Sequence, residues 1–224
     1  MTGPLLLIGG EEFTEGCDFD RDLVAPAGQV VVLTTAAAYE NPAKVADRAR
    51  AWFAGLGVEV EVPAANGRRE AAAPAVVAQV AAARAIYLTS GSAQHLRSVL
   101  KGSPLWDALV SAWQGGAVLA GSQAGAAVLG DTMIDARGGG FTVGLGLFGG
   151  LAVLPRFDQW APERVHRVQT LAPAGLRVVG VDQRTALVHR PGVGWSAAGA
   201  GRVQVLPVDG TSTGLDLLPE PTPV

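Results

Sequence analysis

The sequence predicts an α/β domain built on a mostly parallel sheet with helices on both faces. Short, continuously apolar runs recur along the first half of the chain, as strands that are buried on both faces require. Amphipathic stretches with helical spacing lie between these runs, and such strand–helix alternation produces parallel strands with crossover helices. Hydrophobic residues make up 49% of the 224 residues, enough for one sizeable core, and no Pro/Ser-rich linker divides the chain.

The predicted strands follow the apolar runs in chain order. In the first half they occupy residues 5–8, 30–33, 58–62, 86–88 and 117–120. The third of them alternates apolar residues with Glu59 and Glu61, which favours a position near the edge of the sheet. The later part of the chain is richer in β-structure, with strands predicted at 151–154, 176–181, 185–189 and 202–208, some of them antiparallel.

The helix after the second strand has the clearest boundaries. Asn41 can cap it, Pro42 suits its first position, and Gly55 can end it. Further helices are predicted at about 71–83, 93–100 and 104–113. We take residues 1–218 as one domain. The Pro-rich tail, residues 219–224, is expected to be mobile because proline cannot continue a helix or a central strand.

Composition excludes several classes of function. Charged residues make up 17% of the chain and the net charge is −3, so we expect neither a nucleic acid nor a membrane as partner. The single cysteine, Cys17, cannot form an internal disulfide, and no basic and apolar leader opens the sequence. The expected location is therefore the cytoplasm. No Cys/His cluster or phosphate-binding loop is recognisable, so neither a metal nor a cofactor is expected.

The sharpest functional signal is the pentapeptide Gly121-Ser122-Gln123-Ala124-Gly125, which follows an apolar run and opens a helix. A nucleophile elbow needs a strand, a tight turn and a helix, with small residues two positions on either side of a strained apex. Gly121 and Gly125 meet that requirement, and Gln123 is the apex. Ordinary strand–helix turns also contain glycines, so the pentapeptide alone leaves both interpretations open.

The pentapeptide and the alanine after it resemble Gly-Thr-Ser-Ala-Gly-Ala, the elbow of the cyanophycinase and dipeptidase E serine peptidases. That family has a class I glutamine amidotransferase-like, flavodoxin-like fold. Other segments resemble its motifs in the same chain order, so the resemblance extends to about Val208. They are Gly9-Gly10-Glu11 (Gly-Gly-Gly-Glu in the family), Thr89-Ser90-Gly91-Ser92-Ala93-Gln94 (Gly-Gly-x-Gln), Gly144-Leu145-Gly146-Leu147 (Gly-Leu-Gly-Leu), Pro155-Arg156-Phe157-Asp158 (Pro-His-Phe-Asp) and residues 180–187 (Gly-Ile-Asp-Glu-x-Thr-Ala-Leu).

The resemblance implies a three-layer fold and serine peptidase activity on Asp-containing or β-linked substrates. It assigns the nucleophile position to Gln123, the histidine position to Arg156 and the glutamate position to Gln183. It also implies an oxyanion-stabilising pocket formed by a loop and by the start of the helix after the elbow. We expect this pocket to include Glu11, Gly91, Ser92, Gln94 and Ala124.

All three triad positions depart from the family's pattern. The amide of Gln123 cannot form an alkoxide, Arg156 stays protonated at ordinary pH, and Gln183 cannot supply a negative charge. We therefore predict a peptidase-like fold that has lost serine hydrolase activity, a pseudoenzyme whose Arg156 and Gln123 bind a carboxylate or a small peptide. An ion pair between Arg156 and Asp158 would instead close that pocket, and the sequence leaves both outcomes open.

Two other functions stay open. An active hydrolase would use Ser122 as the nucleophile, with His95 as the best-placed base. A structural role in a homo-oligomer would use exposed tryptophans as interface anchors. Trp106 and Trp113, however, share the spacing of a buried helix face.

Overall fold

Strands and helices alternate through the first half of the chain, as the sequence predicts. The computed structural model describes residues 2–208 and 214–222. None of the helices in these two ranges has the length and apolar character that crossing a bilayer would require. The strands are β1 (Leu5–Ile8), β2 (Gln29–Leu33), β3 (Glu59–Glu61), β4 (Ala85–Leu88), β5 (Val118–Ser122), β6 (Thr132–Ile134), β7 (Phe141–Val143), β8 (Leu151–Pro155), β9 (Arg177–Val181), β10 (Thr185–Arg190), β11 (Gly194–Gly199) and β12 (Val203–Leu206). The α-helices are α1 (Pro42–Ala54), α2 (Pro74–Ala81), α3 (Ala93–Leu100), α4 (Pro104–Gln114), α5 (Ala124–Leu129) and α6 (Pro162–Leu171).

Seven strands form the central sheet in the order β11-β10-β1-β5-β4-β2-β3. Five neighbouring strands, β1, β5, β4, β2 and β3, are parallel to one another. β10 is antiparallel to both of its neighbours, β1 and β11. Alternate residues of β1 enter two apolar clusters: Leu7 belongs to the cluster that contains Leu109 of α4, and Ile8 to the one that contains Phe53 of α1. Helices therefore cover both faces of a mostly parallel sheet, which confirms the predicted fold class.

A smaller sheet and a hairpin extend the domain beyond the central sheet. β8 and β9 pair in parallel, β12 pairs antiparallel with β9, and β6 and β7 form an antiparallel pair. Leu154, Val168 and Val178 belong to a third apolar cluster, which joins α6 to the smaller sheet. The end of β8 is held beside the central sheet because the Arg156 N–H donates to Gly9 O at 2.8 Å.

Several elements of the structure are not predicted from the sequence. β11 has the composition Gly-Trp-Ser-Ala-Ala-Gly, whose low strand propensity hides a strand that pairs with β10 along its whole length. β6 and β7 have three residues each, too few for a periodic signal. The prediction of a helix at about 71–83 is wrong about its first residue. α2 begins at Pro74, because the residue before a proline avoids the helical region.

The Pro-rich tail lies against the β10–β11 end of the central sheet. The carbonyl of Pro219 accepts a hydrogen bond from Trp195 Nε1 at 2.9 Å, and Glu220 Oε2 lies 2.7 Å from His189 Nε2. His189 is buried, whereas Glu220 is exposed. Pro219 and Glu220 thus contact the sheet through these two interactions, and the mobility of residues 219–224 stays a prediction. The last two residues of the chain lie outside the described residues.

Asp20 is a fully buried carboxyl group next to α1. Its Oδ2 accepts a hydrogen bond from Trp52 Nε1 at 2.9 Å. Burial raises the pKa of Asp20 to about 8, and the charge of Glu12 adds to the increase while the bond from Trp52 opposes it. Below that pH the folded protein therefore holds a proton on Asp20, whereas the unfolded chain releases it above about pH 4.

Replacing Asp20 by Asn is expected to flatten the pH dependence of stability. Because the pKa of Asp20 is raised in the folded state, its contribution is fully present below about pH 4 and is lost as the pH rises towards 8, by up to about 1.4 kcal/mol per pH unit. Asp20→Asn keeps an acceptor for Trp52 and has no proton to lose. Urea unfolding at pH 5, 7 and 9 should show the variant gaining stability over wild type at each step. An equal difference at the three pH values would contradict the buried neutral acid.

Candidate functional site

The candidate site is built around the carboxyl end of β1, the edge at which open α/β sheets bind ligands. Ile8 O accepts the Gln123 N–H and Gly9 O accepts the Arg156 N–H, each at 2.8 Å. Gly10 lies between the two side chains: a Cβ at Gly10 would be 3.3 Å from Arg156 Cγ and 3.7 Å from Gln123 Cβ. The structure therefore brings Gln123 and Arg156 together at one edge of the sheet.

Gln123 occupies a sharp bend between β5 and α5. Its backbone has φ 47° and ψ −98°, a strained conformation for a residue that carries a side chain. A Cβ at Gly121 would lie 2.6 Å from the backbone of Gly125, and a Cβ at Gly125 would lie 2.5 Å from Leu88 O. The bend is therefore tight enough to require glycine two positions before and two positions after Gln123.

A cavity of about 640 Å³ opens beside this bend. The loop after β4, the start of α5, the end of β8 and the loop after β6 form its walls. Apolar side chains such as Met133 and Ile134 line it together with polar and charged ones. Its walls include these residues of the site expected from the sequence: Gly91, Ser92, Gln94, Gln123, Ala124 and Arg156.

The side chain of Gln123 connects the bend to the loop after β4. Its Oε1 accepts a hydrogen bond from the Gly91 N–H at 3.3 Å. Gly91 has a positive φ, and a Cβ there would lie 2.3 Å from Ala36 O, so this loop packs closely against the residues that follow β2. The Gly91 N–H is therefore a backbone donor held at the cavity wall beside Gln123.

Arg156 is exposed at the cavity wall. Within residues 2–208 and 214–222 its guanidinium makes no hydrogen bond or ion pair. Asp158 instead accepts hydrogen bonds from the Gln183 N–H at 2.9 Å and from Gln159 Nε2 at 2.8 Å. Burial acts to raise the pKa of Asp158, but these bonds and the charge of Arg156 outweigh it and lower the pKa. The Arg156–Asp158 ion pair that would close the pocket is not formed.

The other charged groups of the cavity wall have partners. Arg137 binds Asp135 through Nε at 3.0 Å and through a terminal nitrogen at 2.8 Å, and these hydrogen bonds lower the pKa of Asp135. The guanidinium of Arg164 lies 4.3 Å from the ring centre of Trp160 and donates to Ala136 O. Among the described residues of the wall, Asp135 is the one carboxylate, so no second carboxyl group is available there as an acid or base partner.

Ser122 faces away from the cavity. It is fully buried and donates to Glu12 Oε2 at 2.8 Å. His95 Nε2 donates to the carbonyl of Asn66 at 2.8 Å, and its ring packs against Tyr39. None of the three histidines of the chain lines the cavity or hydrogen-bonds to Ser122. Within the described ranges, no cluster of three or more His, Cys, Asp or Glu side chains could hold a metal ion.

Besides Ser122, two residues of the site expected from the sequence lie outside the cavity wall, Gln183 and Glu11. Gln183 donates its backbone N–H to Asp158, and this contact links it to the segment that carries Arg156. Glu11 is exposed and has φ 55°, and its carbonyl accepts the Thr14 hydroxyl at 2.6 Å. The side chains of Gln183 and Glu11 therefore do not meet at the cavity.

Glu12, a buried carboxylate outside the site expected from the sequence, lies under the bend. It accepts hydrogen bonds from Ser90 and Ser122. The resemblance contains a signal for it: Gly-Gly-Gly-Glu aligned from Gly9 places the third glycine at Glu11 and the glutamate at Glu12. The positive φ of Glu11, in the region that favours glycine, supports this alignment.

Comparisons with known proteins agree with this architecture. The family model for peptidase family S51 matches residues 5–192. Cyanophycinases of Nostoc sp. and Trichormus variabilis are each 28% identical over 219 residues, covering 92% of this chain and 73% of theirs. The crystal structure of a peptidase from an acI-B1 actinobacterium superposes with a TM-score of 0.84 at 27% identity, covering 96% of this chain and 93% of that one. A putative peptidase E protein from Listeria monocytogenes shares the fold, with a TM-score of 0.67 at 15% identity over 90% of this chain and 100% of that one.

The glycines that flank the bend are expected to be essential for stability. Gly121→Ala would place its Cβ 2.6 Å from the backbone of Gly125, so we expect the free energy of unfolding to fall by about 1–3 kcal/mol or more. Gly138→Ala is the matched control because its Cβ would have nothing within 4 Å. Urea unfolding of both variants checks this, and equal stability of the two would contradict a tight bend at Gln123.

Proposed function

The chain belongs to peptidase family S51, and from this premise we propose that it binds a small carboxylate-bearing ligand, such as a short peptide, without hydrolysing it. The observation that carries the proposal is that Gln123 at the sharp bend and Arg156 both lie on the wall of one open cavity. The Arg156 guanidinium forms no hydrogen bond or ion pair within the described residues. On this proposal the bend is a nucleophile elbow that has lost its nucleophile, and the chain is a pseudoenzyme.

The loss of hydrolysis is argued from the chemistry of the cavity wall. Acyl transfer by a serine-type mechanism needs a hydroxyl nucleophile and a base within hydrogen-bonding reach of it. The carboxamide of Gln123 does not ionise and the guanidinium of Arg156 stays protonated. Asp135, the carboxylate of the wall, is held by Arg137 and is a weak base because its pKa is lowered.

The carboxylate ligand is argued from the donors that the cavity offers. A guanidinium presents a planar fork of N–H groups that matches a carboxylate, and Arg156 has that fork available. The Gly91 N–H is a second donor, bound to Gln123 through a long hydrogen bond of 3.3 Å that a ligand oxygen can replace. A cavity of about 640 Å³ is within the size of small-molecule sites.

An active peptidase is the second candidate, and the names of the cyanophycinase relatives favour it. It would require Ser122 to leave Glu12 and to meet a base at the cavity wall. A structural role through exposed tryptophans has less support, because each of the five tryptophans is buried or half-buried.

Ligand binding is expected to depend on one charge. N-acetylglycine carries a carboxylate, and N-acetylglycinamide is its neutral counterpart of the same shape. Wild type should bind the acid at least about tenfold more tightly than the amide, and Arg156→Gln should remove that preference, since hydrogen bonds to charged groups contribute about 1.5–3 kcal/mol. NMR titration measures both affinities. Arg190→Gln, at an exposed strand end, is the control that should bind like wild type. Equal affinities for the two ligands in wild type would contradict the proposed ligand class.

Hydrolysis is expected to return when the triad positions are restored. Gln123→Ser with Arg156→His and Gln183→Glu would place a hydroxyl and an imidazole on side chains that both flank Gly10. We expect hydrolysis of p-nitrophenyl acetate at least about tenfold faster than in the matched variant Gln123→Ala with Arg156→His and Gln183→Glu, because the Ala variant has no hydroxyl for the imidazole to activate. A correctly folded triple variant with no gain would contradict the proposal that the rest of the site is intact.

A further inference from the structure

Glu12 is a carboxylate buried in the protein beneath the bend. Its side chain is 1% exposed, and the nearest cation, Arg48, lies 3.9 Å away and is half-exposed. A buried charge is costly unless hydrogen bonds replace the water that it loses. The folded protein therefore needs hydrogen-bond donors placed at both carboxylate oxygens of Glu12.

The donors to Glu12 are residues that directly precede the two polar groups of the cavity wall. Ser90 donates its N–H to Oε1 at 3.0 Å and its hydroxyl to Oε2 at 2.5 Å, and Ser90 precedes Gly91. Ser122 donates its hydroxyl to Oε2 at 2.8 Å, and Ser122 precedes Gln123. One carboxylate thus joins the loop after β4 to the end of β5, immediately behind the cavity wall.

We propose that Glu12 is a positioning residue for the ligand site: it fixes the distance between the Gly91 N–H and the Gln123 side chain at the value that suits a bound ligand. The proposal rests on the proposed function, since it concerns the same cavity. Hydrogen bonds to an ionised acceptor are shorter and stronger than neutral ones, and three of them converge on this one group. Glutamine, the neutral side chain of the same size, has one oxygen and an NH₂ group that donates, so it cannot accept at both positions.

The buried acid Asp20 provides a matched comparison. It is also fully buried on a segment that follows β1, but its hydrogen bond comes from Trp52 and not from the two loops. Asp20→Asn removes the carboxyl group but keeps an acceptor for Trp52, so it should leave the cavity wall unchanged. If the loss of any buried acid disturbed the site, Glu12→Gln and Asp20→Asn would change the cavity wall alike. If Glu12 has a positioning role, only Glu12→Gln changes it.

Glu12→Gln and Asp20→Asn test the proposal in the ligand-free protein and with N-acetylglycine. We expect Glu12→Gln to shift the NMR resonances of the Gly91 N–H and of the Gln123 carboxamide, and to speed hydrogen exchange at Gly91 by about tenfold or more. The affinity for N-acetylglycine should fall by about tenfold. Asp20→Asn should retain the wild-type resonances at both residues and the wild-type affinity.

Unchanged Gly91 and Gln123 resonances in Glu12→Gln, or equal shifts in Asp20→Asn, would overturn the positioning role. If wild type does not bind N-acetylglycine, the proposed ligand class fails, while the ligand-free resonances still decide the role of Glu12. If Glu12→Gln does not fold, Ser90→Ala and Ser122→Ala each remove one donor and keep the carboxylate. Each should shift the resonance of the residue that follows it, and no shift in either would overturn the proposal.

Discussion

The carbonyl oxygens of Ile8, Gly9 and Gly10, at the carboxyl end of β1, accept N–H hydrogen bonds from three separate segments of the chain. Gly9 has no room for a side chain, because a Cβ there would lie 2.0 Å from Asp182 O. Because the three carbonyls are consecutive, they hold the residue after β5, the residue after β8 and the residue before β10 next to one another. The three donors are the N–H groups of Gln123, Arg156 and Arg184, each at 2.8 Å.

The side chains of Gln123 and Ser122, at the bend after β5, lie in two different environments. Gln123 faces an open cavity together with Arg156, and Ser122 faces a buried carboxylate. Ser122 is the last residue of β5, and its hydrogen bond to Glu12 holds its hydroxyl on the side away from the cavity. On our proposal the cavity serves binding through donors, and the buried side serves to hold those donors in place.

Much of the fold is predictable because it depends on local patterns. Continuous apolar runs indicate the parallel strands, and Asn41 with Pro42 indicates the start of α1, where the Asn41 side chain accepts from the Lys44 N–H. β11 is not predictable from its Gly/Ala-rich sequence because pairing with β10 forms it. At the site, Gly121 and Gly125 indicate from the sequence that Gln123 is the apex of the turn. The burial of Glu12 beside an exposed Glu11 depends on long-range contacts with Ser90 and Ser122 that no local pattern contains.

On our proposal the amide of Gln123 stands where a nucleophile would be needed, and no activated serine replaces it. The mass of the intact wild-type protein after incubation with a fluorophosphonate measures this directly. We predict an unchanged mass, because Ser122 is buried against Glu12 and no imidazole contacts it. A phosphonyl adduct that peptide mapping assigns to Ser122, and that disappears in Ser122→Ala, would contradict the account.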